Sequence, residues 1–396
     1  MSDKTNTGGQ TDLDPARSVR DEDSFDVEVV ATWLRANADD PKGLEGTPEV
    51  QQFTGGVSNL TYLLRYAGRS GKPGRDVILR RPPAGSKAKN AHDMHREYDV
   101  QRLLKPVFDY VPSMVAFCDD ESIIGSEFYV MERLNGRILR RNLPKDMVLS
   151  QEQARDLSRT YVDRLVDLHQ VDVAAAGLDK FSRGTGYVGR QVAGWSDRYR
   201  KARTKNVGSF EKVMAWLEAN QPEDRGSCFI HNDYRLDNLV LDPENPLKVI
   251  GILDWEMATV GDPLMDLGSA LAYWIEAGDN PVFRAFRRQP SNVPGMLTRT
   301  EIVDYYATKT GQVITPEQWR FYEVFGLFRL AVIAQQVYYR YFHGQTTNPA
   351  YKQLRLAVIA LEWRCHQLLT RDPLAQARAL TVPVTRLARL GSSRPR

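Results

Sequence analysis

The stretch FIHNDYRLDNLVLDPENPLKVIGILDWE, residues 229–256, decides how this chain is read. Two apolar runs, NLVLD and KVIGILD, are joined by PENPL, whose Pro and Asn residues favour turns. The segment therefore reads as an antiparallel hairpin turning near residues 245–246, with Asn238 opening one strand roughly opposite Asp254 at the end of the other. Directly paired side chains have Cβ atoms ~4.5–5.5 Å apart, within reach of one cation. An amide oxygen and a carboxylate, completed by water and phosphate oxygens, suit Mg2+. Asp233 lies five residues before Asn238, placed to accept a proton from a hydroxyl beside that metal. Most Asp and Asn residues near hairpins only cap turns. Here the fixed order of His231, Asp233, Asn238, strand, turn, strand and Asp254 favours chemistry over capping.

Around this stretch the composition is that of an ordinary globular protein: 396 residues, 42% hydrophobic and 26% charged. A formal charge of +3 gives no reason to expect nucleic acid as a partner. Cys118, Cys228 and Cys365 lie far apart and fit no metal-ligand spacing, which implies reduced thiols. The polar N-terminus has no apolar h-region, and residues 321–344, though apolar, carry Glu323, Arg329 and Arg340. The expectation is a cytoplasmic protein without a membrane role. Residues 1–23 read as disordered, and 372–396 as a loose basic tail.

Residues 24–134 read mainly as strands: QQF, LTYLLRY, DVILRR, SMVAFC and EFYVMERL, with a helix near NAHDMHREYDVQRLLKP. From 135 to 371 the spacing turns helical, at 150–170, 195–219, 264–276, 321–343 and 351–369. The quoted hairpin sits inside this second part as a lone β element.

HNDYRLDN, then ILDWE, then GDPLMDLGSAL, resembles the aminoglycoside phosphotransferase and choline kinase superfamily. The resemblance covers roughly residues 45–370. It implies an α+β, protein-kinase-like two-lobed fold, with a small five-stranded antiparallel lobe and a larger, mostly helical lobe. H-x-D-x-x-x-x-N would be the catalytic loop, with the later Asp in the place of the D-F-G Asp. By that match Asp233 is the catalytic base, Asn238 and Asp254 hold Mg2+, and ATP is the donor. His231 and Asp266 would support the loop, and Asp262 would fix the turn before Asp266. Gly55, Gly56 and Ser58 of FTGGVSNL would approach the phosphates. Where protein kinases carry a lysine, VILRRPP offers Arg80 and Arg81. Period-two alternation sets Arg80 toward the nucleotide and Arg81 outside, and Glu97 is the candidate ion-pair partner. Backbone groups near Glu132 and Leu134 would bind adenine, while His169 packs and caps.

Few carboxylates occur in 321–371 (Glu323, Glu362), which argues for an uncharged or anionic acceptor over an aminoglycoside. YVMERLNGRIL and ILDWEMATVGDPLMDLGSALAYW also resemble the kinase-like domains fused to acyl-CoA dehydrogenases and their free-standing bacterial relatives. That resemblance implies a hydroxyacyl-CoA as the hydroxyl acceptor. Lys87 and Lys89 in RRPPAGSKAKNAH, with Arg137, Arg140 and Arg141, would then meet coenzyme A phosphates. The alternatives are a kinase for an aminoglycoside, amino alcohol or sugar, and a nucleotide-binding pseudokinase acting as a regulatory module. A protein kinase ranks last, because GDPLMDLG begins seven residues after Asp254 and leaves no room for a long activation loop.

Overall fold

The computed structural model describes residues 16–53, 59–68, 73–83, 93–224 and 226–370. It divides into two compact units. The first runs to Ile138 and takes in Asn238–Glu256; the second holds Leu139–Asp237 and the chain from Met257 onward.

The first unit is built on β1 (Glu49–Phe53), β2 (Leu60–Arg65), β3 (Asp76–Arg81), β4 (Met114–Cys118) and β5 (Phe128–Glu132). These form an antiparallel sheet in the order β1-β2-β3-β5-β4. Both faces are covered. Helix α1 (Val27–Asn37) sets Val30 and Leu34 against Tyr62, Leu64, Val77 and Leu79. Helix α2 (Met94–Leu104) sets Met94 against Leu63, Ile78 and Tyr129 on the other face. Strand alternation explains the split: every second residue of β3 faces each helix. Asp26 and Asp93 start the two helices by accepting backbone N–H groups.

Two features differ from the sequence reading. Part of the segment expected to be disordered is folded onto the sheet: Arg17 bridges Gln52, and Asp21–Asp23 form a 3-10 turn. Residues 1–15 and the basic tail lie outside the described residues. The hairpin is also not a lone β element. Strand Leu239–Leu241 pairs with Val249–Ile252 on one side and with β6 (Arg137–Ile138) on the other.

The second unit is helical: α3 (Gln151–His169), α4 (Tyr187–Ala202), α5 (Glu211–Ala219), α6 (Pro263–Leu271), α7 (Pro281–Ala285), α8 (Arg299–Thr310), α9 (Pro316–Phe342) and α10 (Leu354–Leu369). Capping boxes at Ser150/Gln153, Thr298/Glu301 and Thr315/Gln318 fix the starts of α3, α8 and α9. A short pair, Cys228–Ile230 with Thr259–Gly261, flanks the catalytic-loop sequence. Helices α6 and α9 cross backbone to backbone. A Cβ at Gly268 would lie 2.5 Å from the Tyr322 carbonyl, and one at Gly326 would lie 2.1 Å from the Gly268 carbonyl. Only glycine permits that approach, which fixes the height of Asp266 on α6. No helix among the described residues is long and apolar enough to cross a membrane.

Candidate active site

The first unit carries a polar cluster at the end of β3. Arg80 Nη1 lies 2.8 Å from Glu97 Oε1 on α2, and Arg80 Nη2 lies 3.4 Å from Asp254 Oδ1. Glu97 is 1% exposed and Arg80 9%. Burial pushes the Glu97 carboxyl up, against the pull of the Arg80 charge. Burial also works against the Arg80 guanidinium, yet the Glu97 charge carries its pKa well above the usual value. Gln101 donates to the Glu97 carbonyl at 3.1 Å and to the Tyr129 hydroxyl at 3.3 Å, bracing the helix from within the core.

Two residues not singled out in the sequence join this cluster. Asn59 Nδ2 lies 3.5 Å from Glu97 Oε2 and 3.4 Å from Glu256 Oε2. Arg96 donates to the Glu256 carbonyl at 3.1 Å. The only available signal was their position, Asn59 directly after Ser58 and Arg96 directly before Glu97.

Arg81 is not outside. It is 6% exposed, and it donates to the Asp23 carbonyl at 2.7 Å, the Tyr62 hydroxyl at 3.2 Å and the Ile124 carbonyl at 3.2 Å. It faces away from Arg80 as alternation requires, but residues 23–25 and α1 cover that face.

Asn238 ends a 3-10 turn, Leu236–Asn238, and its carbonyl accepts from Leu253 N–H at 2.8 Å. The residue opposite Asn238 is therefore Leu253, one short of Asp254. Asp254 has φ +70°, a left-handed conformation that Asp tolerates better than most residues. Among the described residues no three His, Cys, Asp or Glu side chains are grouped to hold a metal. The Asn238 amide and Asp254 carboxylate are hard oxygen donors. That pair suits a magnesium ion whose remaining ligands come from phosphate and water.

The second unit carries His231 and Asp233 of the H-x-D-x-x-x-x-N sequence. Asp266, fully buried on α6, accepts from His231 N–H at 2.8 Å and from Asn232 N–H at 2.7 Å. His169 Nε2 lies 3.2 Å from the same carboxylate, and its Nδ1 lies 2.8 Å from the Tyr306 hydroxyl. Burial raises the Asp266 carboxyl, but the hydrogen bond and charge of His169 prevail and hold it below its usual value. His169 thus does more than cap α3. Asp262 caps α6, accepting from Leu264 and Met265 N–H at 2.9 Å.

Asn232 has φ +64° and is gripped on every side. Its carbonyl accepts from Arg329 at 2.6 Å, its amide donates to the Met257 carbonyl at 3.1 Å, and its Oδ1 accepts from Tyr187 at 3.2 Å. Such a residue persists in a left-handed turn only when its surroundings over-determine it. The next N–H, of Asp233, donates to His231 Nδ1 at 3.2 Å, so the buried His231 ring supports the loop.

Arg235 was missed in the sequence. Its guanidinium lies 3.1 Å from Asp233 Oδ2 and 3.4 Å from Asp237 Oδ2, and 4.9 Å over the Tyr273 ring. Burial pushes the Asp237 carboxyl up, with Arg235 opposing.

Gly55, Gly56, Ser58, Lys87 and Lys89 lie outside the described residues. Glu132 N–H donates to the Ser113 carbonyl at 2.9 Å, so this backbone group is already used within the first unit. Leu134 lies over Gly251, where a Cβ would be 2.0 Å from Leu134 Cδ1.

Acyl-CoA dehydrogenase family member 10 of Mus musculus is 35% identical over 319 residues, covering 79% of this chain and 29% of that protein. The chain thus spans about a third of the length of the curated relatives it matches. A crystal structure described as a putative aminoglycoside phosphotransferase from Ralstonia eutropha is 29% identical, covers 86% of this chain and 98% of its own, and has a TM-score of 0.69. A ternary complex of aminoglycoside phosphotransferase APH(4)-Ia with AMP-PNP and hygromycin B shares the fold, at 13% identity and TM-score 0.51, covering 86% of this chain and 97% of its own. The fold is of the protein-kinase-like α+β class, and the family profile runs from β1 through the loop held by Asp266 to the start of α8. With residues 49–301 matched by that profile, the chain belongs to the phosphotransferase enzyme (APH) family.

Proposed function

We propose that this protein is an ATP-dependent small-molecule kinase that transfers the γ-phosphoryl group of MgATP to a substrate hydroxyl, and that the acceptor is a hydroxyacyl-CoA. The observation that carries the kinase reading is the loop clamped by Asp266, with Asp233 at its head. Asp233 accepts the proton of the attacking hydroxyl, and Arg235 fixes the carboxylate so that it faces one way. Asn238 and Asp254 are the metal ligands. A magnesium ion bound there would neutralise phosphate charge and orient the transferred group. Arg80 retains its charge through the Glu97 pair and contacts phosphate oxygens. Most of the rate enhancement then comes from positioning and electrostatics.

The acceptor assignment rests on the 35% identity with a protein named as an acyl-CoA dehydrogenase family member, together with the scarcity of carboxylates along α9 and α10. The AMP-PNP complex of the APH(4)-Ia relative supports ATP as donor.

The test is ADP release from MgATP with 3- and 4-hydroxyacyl-CoAs, aminoglycosides, choline and simple sugars, using Asp233→Asn as the blank. Turnover of a hydroxyacyl-CoA that vanishes in the blank is the expected result. Full activity in Asp233→Asn would refute the base, and turnover of a sugar or amine alone would refute the acceptor.

A further inference from the structure

The second unit carries four arginines without counter-ions on two segments that meet beside the H-x-D-x-x-x-x-N loop. Arg141, Arg284 and Arg288 are exposed and Arg287 is half-buried. Among the described residues none of the four is paired with a carboxylate. Arg287 donates to the Arg141 carbonyl, to the Gln289 carbonyl at 3.3 Å and to Asn142 Oδ1 at 2.8 Å. Arg141 donates back to the Ala285 carbonyl at 3.3 Å. The segments 141–142 and 285–289 are thus cross-braced by arginines that spend their donors on neutral oxygens and keep their charge uncompensated.

Gln289 ties the brace to the catalytic loop. It is fully buried, its Oε1 accepts from Leu236 N–H at 2.8 Å, and its Nε2 donates to the Tyr273 carbonyl at 3.3 Å. Tyr273 is the ring beneath Arg235, which pairs with Asp233. Burial and the neighbouring Arg141 charge both push the Arg287 guanidinium down, in keeping with two cations on adjoining segments. Planar guanidinium groups match phosphate oxygens in a forked geometry.

We propose that Arg141, Arg284, Arg287 and Arg288 form an anion-binding subsite for a phosphate group carried by the acceptor, remote from the hydroxyl that receives the phosphoryl group. The assignment rests on the kinase reading above and sharpens it: the acceptor is anchored by its own phosphate. Of the arginines expected to meet such phosphates, Arg141 belongs to this subsite. Arg284, Arg287 and Arg288 lie more than 140 residues along the chain and join it only through the fold.

The experiment is calorimetric titration of adenosine 3′,5′-bisphosphate into the full chain, with the nucleotide site filled by Mg·AMP-PNP. Wild type is compared with Arg141→Gln/Arg287→Gln and with Arg284→Gln/Arg288→Gln. The second variant touches no brace, so it keeps the test open if the first fails to fold. The expected result is saturable binding that weakens about tenfold or more in each folded variant. Three results would overturn the proposal: no binding to wild type, equal binding to wild type and variants, or inorganic phosphate binding as tightly as the bisphosphate. The last would mark a free-anion site instead of an acceptor anchor. Binding needs no turnover, so these outcomes are read separately from the Asp233→Asn assay that tests the kinase reading.

Discussion

Arg80 Nη1 and Glu97 Oε1 lie 2.8 Å apart, joining the end of a central strand to a helix on one face of the sheet, while the adjacent Arg81 is buried on the opposite face. Neighbouring arginines therefore have different jobs. Arg80→Ala leaves a nearly fully buried carboxylate without its cation, and the expected cost is about 3–5 kcal/mol in urea unfolding. Adding Glu97→Gln should recover much of that stability without restoring kinase turnover. Recovery of turnover in the double variant would show that the charge of Arg80 is not used on phosphate.

Arg81→Met breaks hydrogen bonds to Asp23, Tyr62 and Ile124 but touches nothing in the polar cluster. It should cost about 1–3 kcal/mol in the same measurement, because buried carbonyls lose a donor. The kcat of the folded protein should stay within about twofold of wild type. A large fall in kcat would place Arg81 in the site after all.

Asp266→Asn keeps the shape of the side chain but can accept well at only one oxygen. One of the His231 and Asn232 N–H groups then loses its acceptor and confronts the side-chain amide N–H instead. The expected result is a loss of about 1–3 kcal/mol in stability and a fall in kcat exceeding any rise in KM, since the damage lies in positioning Asp233. Unchanged kcat with a raised KM would point to a binding role instead.

Arg235→Lys retains a cation but cannot fork onto Asp233 and Asp237 together. Turnover should fall about tenfold or more, and Arg235→Ala should fall further. With its neighbouring cation gone, Asp237 should take up a proton at higher pH than in wild type, which an NMR titration of its carboxyl would show.

Asp279 provides a pH test away from the site. Burial raises its carboxyl, but two bonds from Arg299, at 2.7 and 2.9 Å, and one from Arg364, at 2.9 Å, hold it well below the usual carboxylate range. A folded pKa below the unfolded one stabilises above about pH 4, and that contribution is lost as pH falls toward the folded value. Asp279→Asn should cost about 3–5 kcal/mol at pH 7 and flatten the fall in stability below pH 4. An equally steep acid limb in the variant would assign it to other carboxylates.

The five strands, the helix after β3, helices α3, α6, α9 and α10 and the loop sequence around Asp233 are legible because each depends on local rules, whereas the span read as helical at 195–219 is α4 and α5 with a break at 203–210, and α8 is passed over. Alternation marks strands, 3.6-residue spacing marks helices, and Pro and Asn mark turns. Helix α1 carries the same signal, with Asp26 as cap and apolar residues at 27, 30, 31 and 34, yet the strand reading of residues 24–134 passes over it. Arg81 is buried by Asp23, Phe25 and the Ile124 carbonyl, which strand alternation alone does not bring to that face. Asn238 and Asp254 were expected to face each other, but the 3-10 turn at 236–238 and the left-handed Asp254 move the register by one residue.

The sequence by itself determined most of the order of secondary structure and singled out Asp233, Asn238 and Asp254 as candidates, because those follow from residue type and spacing along a few turns of chain. The resemblance names Glu97 for Arg80 and Asp266 for the loop, and tertiary structure alone brings these groups to contact distance. Arg80 reaches Glu97 across a strand–helix contact, and Asp266 reaches the His231 and Asn232 amides from 35 and 34 residues away. Gln289 couples the arginine brace to Leu236 across 53 residues. Coulomb and hydrogen-bond energies depend on distances of a few ångströms and on burial, and separation along the chain fixes neither.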